Sequence, residues 1–127
     1  LFDTERGVNK RLSSNSTAAQ QDETAALTAF NSNGFSLGNV TAFNGNAANW
    51  GSAGNYVSWT FRKQPKFFDV VKYEGTGSAR TVAHSLNTTV GMIIVKNLDA
   101  GDNWAVYHRA NTAAPQTDYL ILNDTGA

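Results

Sequence analysis

The stretch NYVSWTFRK (residues 55–63) sets Tyr56, Ser58 and Thr60 on one side of an extended chain and Val57, Trp59 and Phe61 on the other. A side-chain period of two belongs to the β-strand, so the segment is expected to lie extended with its apolar side covered. FFDVVKY (67–73) repeats the pattern, with Phe67, Asp69, Val71 and Tyr73 alternating against Phe68, Val70 and Lys72, before Gly75 and Gly77 supply a turn. ARTVAH (79–84), GMIIVKNL (91–98), NWAVYH (103–108) and DYLILN (118–123) read as further strands, and the Met92–Val95 run suits burial on both faces. EGTGS, SLNTTVG and DAGDN separate them and are loaded with turn formers.

The first half is looser. LFDT and KRLSSN have strand character, and GFSLG (34–38) is a short strand between glycines. TAAQQDETAALTAF (17–30) carries helix-favouring Ala, Gln and Glu with Asp22 or Thr24 as caps, yet its periodicity is poor, and a short strand over Ala25–Phe30 after a polar loop is preferred with a helix as the alternative. Residues 39–55 form a long Asn- and Gly-rich connection with Phe43 and Trp50 as its pins. Short strands at regular spacing with turns between them predict an all-β chain folded as an antiparallel β-sandwich, with a barrel as the alternative.

Composition narrows function by exclusion. Ten basic and ten acidic residues cancel and gather in no run, so the positive surface that holds a phosphate backbone is missing and nucleic acid is not expected as a partner. The longest apolar runs fall far short of the roughly 20 residues that cross a bilayer, so membrane insertion is not expected. With no cysteine, disulfides, thiolate nucleophiles and Cys-based zinc sites are excluded together. The opening Leu1, with no initiator Met, reads as an excerpt from a longer chain.

Chemistry-bearing groups are sparse. His84 and His108 lack a second ligand at zinc spacing, and Glu5, Glu23 and Glu74 are too scattered for spacing to define a glycosidase pair. GTGSAR (75–80) lacks the Gly-Lys-Ser/Thr ending of a phosphate loop, and Asp99 with Asp102 in LDAGDN lacks the closing Glu of a calcium loop. No enzyme activity, cofactor or metal is therefore assigned. Four Asn-X-Ser/Thr sequons, at Asn15, Asn39, Asn87 and Asn123, reflect the Asn- and Thr-rich composition. Sugar rings stack on exposed aromatic residues while Asn and Asp bond their hydroxyls, which makes Trp50, Asp102 and Asn103 the candidate ligand-binding residues. Trp59 and Trp104, each alternating with apolar neighbours, are assigned to the core.

The run GNYVSWTFRKQPKFFDVVKYEGTGSARTVAHSL, followed by GMIIVKN, NWAVYH and YLILNDT, resembles repeat modules of tail-fibre and related virion proteins of marine tailed phages, especially those infecting cyanobacteria. LFDTERG, LSSNST and FNSNGFSLG extend the resemblance over nearly the whole chain. One departure is HSLNTTVGM, where Asn87 and Val90 stand at positions that commonly carry Gly and Pro. The resemblance implies a concanavalin A-like lectin sandwich of jelly-roll type, a structural and non-enzymatic role in an extracellular virion fibre, and self-association as a homotrimer. Its alternative is a lectin-like module that touches a host-surface glycan.

Module order also explains an internal echo. LSSNSTAA (12–19) and LILNDTGA (120–127) share Leu, Asn, Thr and Ala at an offset of 108 residues. Residues 1–63 then form the C-terminal part of one module and 64–127 the N-terminal part of the next, with Phe2 matching Tyr107, Leu12 matching Leu120 and Asn15 matching Asn123. The alternative reads 1–127 as one compact sandwich with coincidentally similar ends.

Overall fold

The computed structural model describes residues 1–46 and 54–124. Its regular elements are β1 (Lys10–Arg11), β2 (Gln21–Asp22), β3 (Leu27–Asn31), β4 (Gly34–Leu37), α1 (Thr41–Asn44), β5 (Met92–Val95), β6 (Ala105–His108) and β7 (Leu120–Ile121). Every pairing between these strands is antiparallel: β1 with β2, β3 with β4, and a three-stranded sheet ordered β5-β6-β7. The described residues are thus nearly all-β, in small open sheets, with one helical turn.

The strand assigned near 25–30 forms as β3, and its hairpin with β4 turns at Ser32–Asn33 between the partners Asn31 and Gly34. The hairpin folds back on the segment before it through Gly38, whose N–H donates to the Ala26 carbonyl at 2.9 Å. A Cβ at Gly38 would stand 2.2 Å from the Ala25 carbonyl oxygen, well inside van der Waals contact and against backbone that cannot swing aside. Gly38→Ala is therefore expected to destabilise the fold by about 1–3 kcal/mol, an overpacking penalty read directly as a lower thermal midpoint.

Phe43 pins the connection that follows, as its position suggested. Its ring meets Phe2 edge-on with centroids 5.5 Å apart and lies 5.9 Å beneath the Arg11 guanidinium. The departure at HSLNTTVGM is also accommodated, because Asn87 has φ 54°. Asparagine visits this left-handed region more readily than other side-chain-bearing residues, so the turn is kept without glycine.

Three expectations need correction. Residues 55–63, 67–73 and 79–84 are not hydrogen-bonded strands; the isolated bridge Gln64–Phe68 is the one β-pairing in this region. Alternation gives a segment an apolar side but supplies no neighbour, and a strand exists only when its N–H and C=O groups find a partner. Trp59, assigned to the core, is 84% exposed for the same reason. Met92–Val95 does form a strand, but all four residues are exposed, since β5 is an edge with a partner on one side only.

Among the described residues the buried apolar side chains are Leu12, Ala26, Leu27, Trp104 and Val106. Three of these five come from the chain's first forty residues, and the other two are Trp104 and, in β6, Val106. Trp104 takes the core place assigned to it from sequence.

Candidate functional site

Trp104 precedes β6 and joins distant parts of the chain. Its indole N–H is shared between the carbonyls of Ser13 and Ser16, each at 3.1 Å, and its backbone N–H donates to Asn123 Oδ1 at 2.8 Å. Leu122 N–H closes the pairing onto the Trp104 carbonyl at 3.1 Å. Beside it, Gln20 N–H donates to the Leu98 carbonyl at 2.9 Å, a second tie between the two halves. A buried indole needs an acceptor for its N–H, and the turn after Leu12 presents two carbonyls to it.

A polar cluster lies elsewhere, in a groove lined by Glu5, Lys63, Asp69, His84 and Ser85 among others. Lys63 Nζ sits 2.8 Å from Glu5 Oε1 and 3.0 Å from Asp69 Oδ1, and it also donates to the Val70 carbonyl at 3.2 Å. Asp69 Oδ2 accepts from Ser85 N–H at 2.7 Å and from Ser85 Oγ at 2.8 Å, while Oδ1 takes Val70 N–H at 2.9 Å. Ser85 N–H first, then Lys63, then the Ser85 hydroxyl hold the Asp69 carboxyl well below the usual carboxylate range. Hydrogen bonds donated to Glu5, then to Asp69, raise the Lys63 ammonium above the usual lysine value.

This arrangement fastens loops. A carboxylate surrounded by donors is a weak base, and an ammonium held by two carboxylates is a poor proton acceptor, so neither activates the Ser85 hydroxyl. His84 Nδ1 accepts from Leu86 N–H at 3.2 Å within its own turn. Glu5 and Lys63 are 58 positions apart, which no spacing rule connects. One sequence signal did exist: Asp69 occupies the same side of the FFDVVKY alternation as Phe67 and Val71, a charge where the pattern asks for an apolar residue.

Of the residues proposed for sugar binding, Trp50 lies outside the described residues. Asp102 Oδ2 accepts from Asn97 Nδ2 at 2.6 Å, and Asn103 Oδ1 accepts from Asn123 Nδ2 at 2.9 Å, so a sugar hydroxyl would compete with internal bonds. Among the described residues no group of three His, Cys, Asp or Glu is placed to hold a metal ion, and no helix is long and apolar enough to cross a membrane.

Fold and site together define a small antiparallel all-β chain whose best-formed polar features join segment to segment. The whole chain, residues 1–127, matches the model of a family described as Domain of unknown function (DUF7483), and the chain belongs to that family. No curated protein and no solved structure matches it.

Proposed function

We propose that the chain is a structural, non-enzymatic segment of an extended tailed-phage virion fibre, built from tandem concanavalin A-like β-sandwich modules that self-associate as a trimer outside the cell. One observation carries this reading: a backbone pairing at one end of the chain matches, in the echo's alignment, a strand pairing at the other. Leu1 and Leu12 exchange backbone bonds, Leu1 N to the Leu12 carbonyl at 2.5 Å and Leu12 N–H to the Leu1 carbonyl at 3.0 Å. Aligning Phe2 with Tyr107 and Leu12 with Leu120 lays this pair on Val106 and Leu120, which are register partners in the β6–β7 ladder. Both pairs run straight into a turn, at Ser14–Asn15 and at Leu122–Asn123.

The connection between the partners differs by three residues, 11 positions from Leu1 to Leu12 and 14 from Val106 to Leu120, so the shared pairing is not a by-product of equal loop length. A chain that begins a second copy of its own opening unit is suited to building length, since each repeat needs only its neighbours. The echo places Ala127 opposite Ala19, so a longer chain in which residues 20–63 follow Ala127 contains one uninterrupted module. That longer chain is expected to melt at a higher temperature than residues 1–127 and, when further modules are added, to lengthen by a constant step in small-angle scattering. Equal melting temperatures, or a particle that grows in all dimensions, would overturn the tandem-fibre reading.

A further inference from the structure

We propose that the extended ribbon 55–63 of one copy adds as a strand to the free edge of β5 in a second copy of this chain. The proposal rests on the self-associating role above and deepens it by naming the surface. A compact monomer of 13.7 kDa exposes about 6,600 Å2. This chain exposes 9338 Å2. The excess, about 2,700 Å2 per chain or about 5,400 Å2 over two partners, is as large as the biggest permanent subunit interfaces bury.

Part of that excess lies on the ribbon and on β5. Val57 and Trp59 are 84% exposed, and the β5 residues Met92, Ile93, Ile94 and Val95 stand open as well. Residues 55–63 make no backbone–backbone hydrogen bond with any described residue, and β5 bonds to β6 alone, leaving its outer row of N–H and C=O groups unpaired in the sheet. Each element supplies what the other lacks, and strand addition satisfies both.

The ribbon is also held out by its own chain. At one end Tyr56 Oη donates to the Thr41 carbonyl and accepts from Gly45 N–H, both at 3.0 Å. At the other, Phe61 packs on Phe68 with centroids 5.4 Å apart and Lys63 is fixed by Glu5 and Asp69. Val57–Thr60 is therefore presented between two anchors, which lowers the ordering cost of docking on another molecule. Arranged head to tail, each copy gives its ribbon to one neighbour and receives one on β5 from the other, which closes three copies into a ring.

The absence of cysteine makes the test clean. Ser58→Cys and Ile94→Cys variants are purified separately, mixed, and treated with a short bismaleimide, with sedimentation equilibrium run on the unmodified chain and on Trp59→Asp. The expected results are a covalent dimer that joins one variant to the other, an unmodified chain heavier than 13.7 kDa, and a Trp59→Asp chain at monomer mass with an unchanged far-ultraviolet circular dichroism spectrum. Assembly without the 58-to-94 cross-link would overturn this interface and leave the self-associating role standing. A strictly monomeric unmodified chain would overturn both. A cross-link that forms only within one molecule of the Ser58→Cys/Ile94→Cys double variant would show the ribbon pairing at home and would also sink the proposal.

Discussion

Trp104→Ala is expected to cost about 3–5 kcal/mol, the range for deleting a buried aromatic side chain, and to leave little cooperative unfolding. Domains of this size are stable by about 5–15 kcal/mol in total. Trp104 is the largest of the five buried apolar residues among those described, and it is 5% exposed. Removing it leaves a cavity beside the turn after Leu12, where Ser13 and Ser16 meet the indole. The loss has a polar part too, because the carbonyls of Ser13 and Ser16 give up their shared donor. Trp104→Phe separates the two contributions: it keeps most of the apolar area and drops the N–H, so it is expected to cost about 1–3 kcal/mol, nearer the penalty for unsatisfied buried acceptors. Urea denaturation followed by circular dichroism measures both; a Trp104→Ala chain with an unchanged midpoint would remove this joint from the account of the fold.

Asp69→Asn is expected to lower the melting temperature at neutral pH and to flatten its dependence on pH in the acid range. The sign follows from the direction of the shift. Asp69 is held below its ordinary value in the folded chain by Ser85 N–H, Lys63 and the Ser85 hydroxyl, so the folded state binds its proton less readily than the unfolded state does. Its stabilisation is fully present above the ordinary carboxylate value, near pH 4, and drains away as pH falls through the depressed folded value. Lys63 behaves in the opposite sense: its raised value stabilises below the ordinary lysine value, near pH 10.4, and that contribution is lost as pH rises through the folded value. The cluster is open to solvent around Lys63, so added salt is expected to weaken it. Melting curves of the unmodified chain and Asp69→Asn from pH 7 down to pH 2 give the test; parallel profiles would show that Asp69 has no coupling to folding.

Both predictions fall on residues that sequence reading treated unequally. Trp104 was legible because Trp-Ala-Val-Tyr alternates apolar letters beside a turn, and the burial of Trp104 and Val106 follows that pattern. Trp59 carried an equally good alternation with Val57 and Phe61 and is exposed. The difference is not local. Trp104 enters a strand with neighbours on both sides, β5 and β7, while the ribbon holding Trp59 has none among the described residues. Glu5, Lys63, Asp69 and Ser85 were invisible as a group for a related reason, since they come from separate segments brought together by loops that carry no periodic signal.

Sequence by itself determined the extended character of the chain, the places of the turns, the extended segments that become β3 and β4, and the strands at Met92–Val95, Ala105–His108 and Leu120–Ile121. Those properties depend on side chains a few positions apart: alternation, β-branched and aromatic content, and the Gly, Asn and Asp residues that let the backbone reverse. Only the tertiary structure decided which extended segments acquire partners, which tryptophan is buried, and which carboxylate meets Lys63. Strand pairing and charge clustering are contacts between distant positions, and their free energy depends on closing long loops that local letters do not encode.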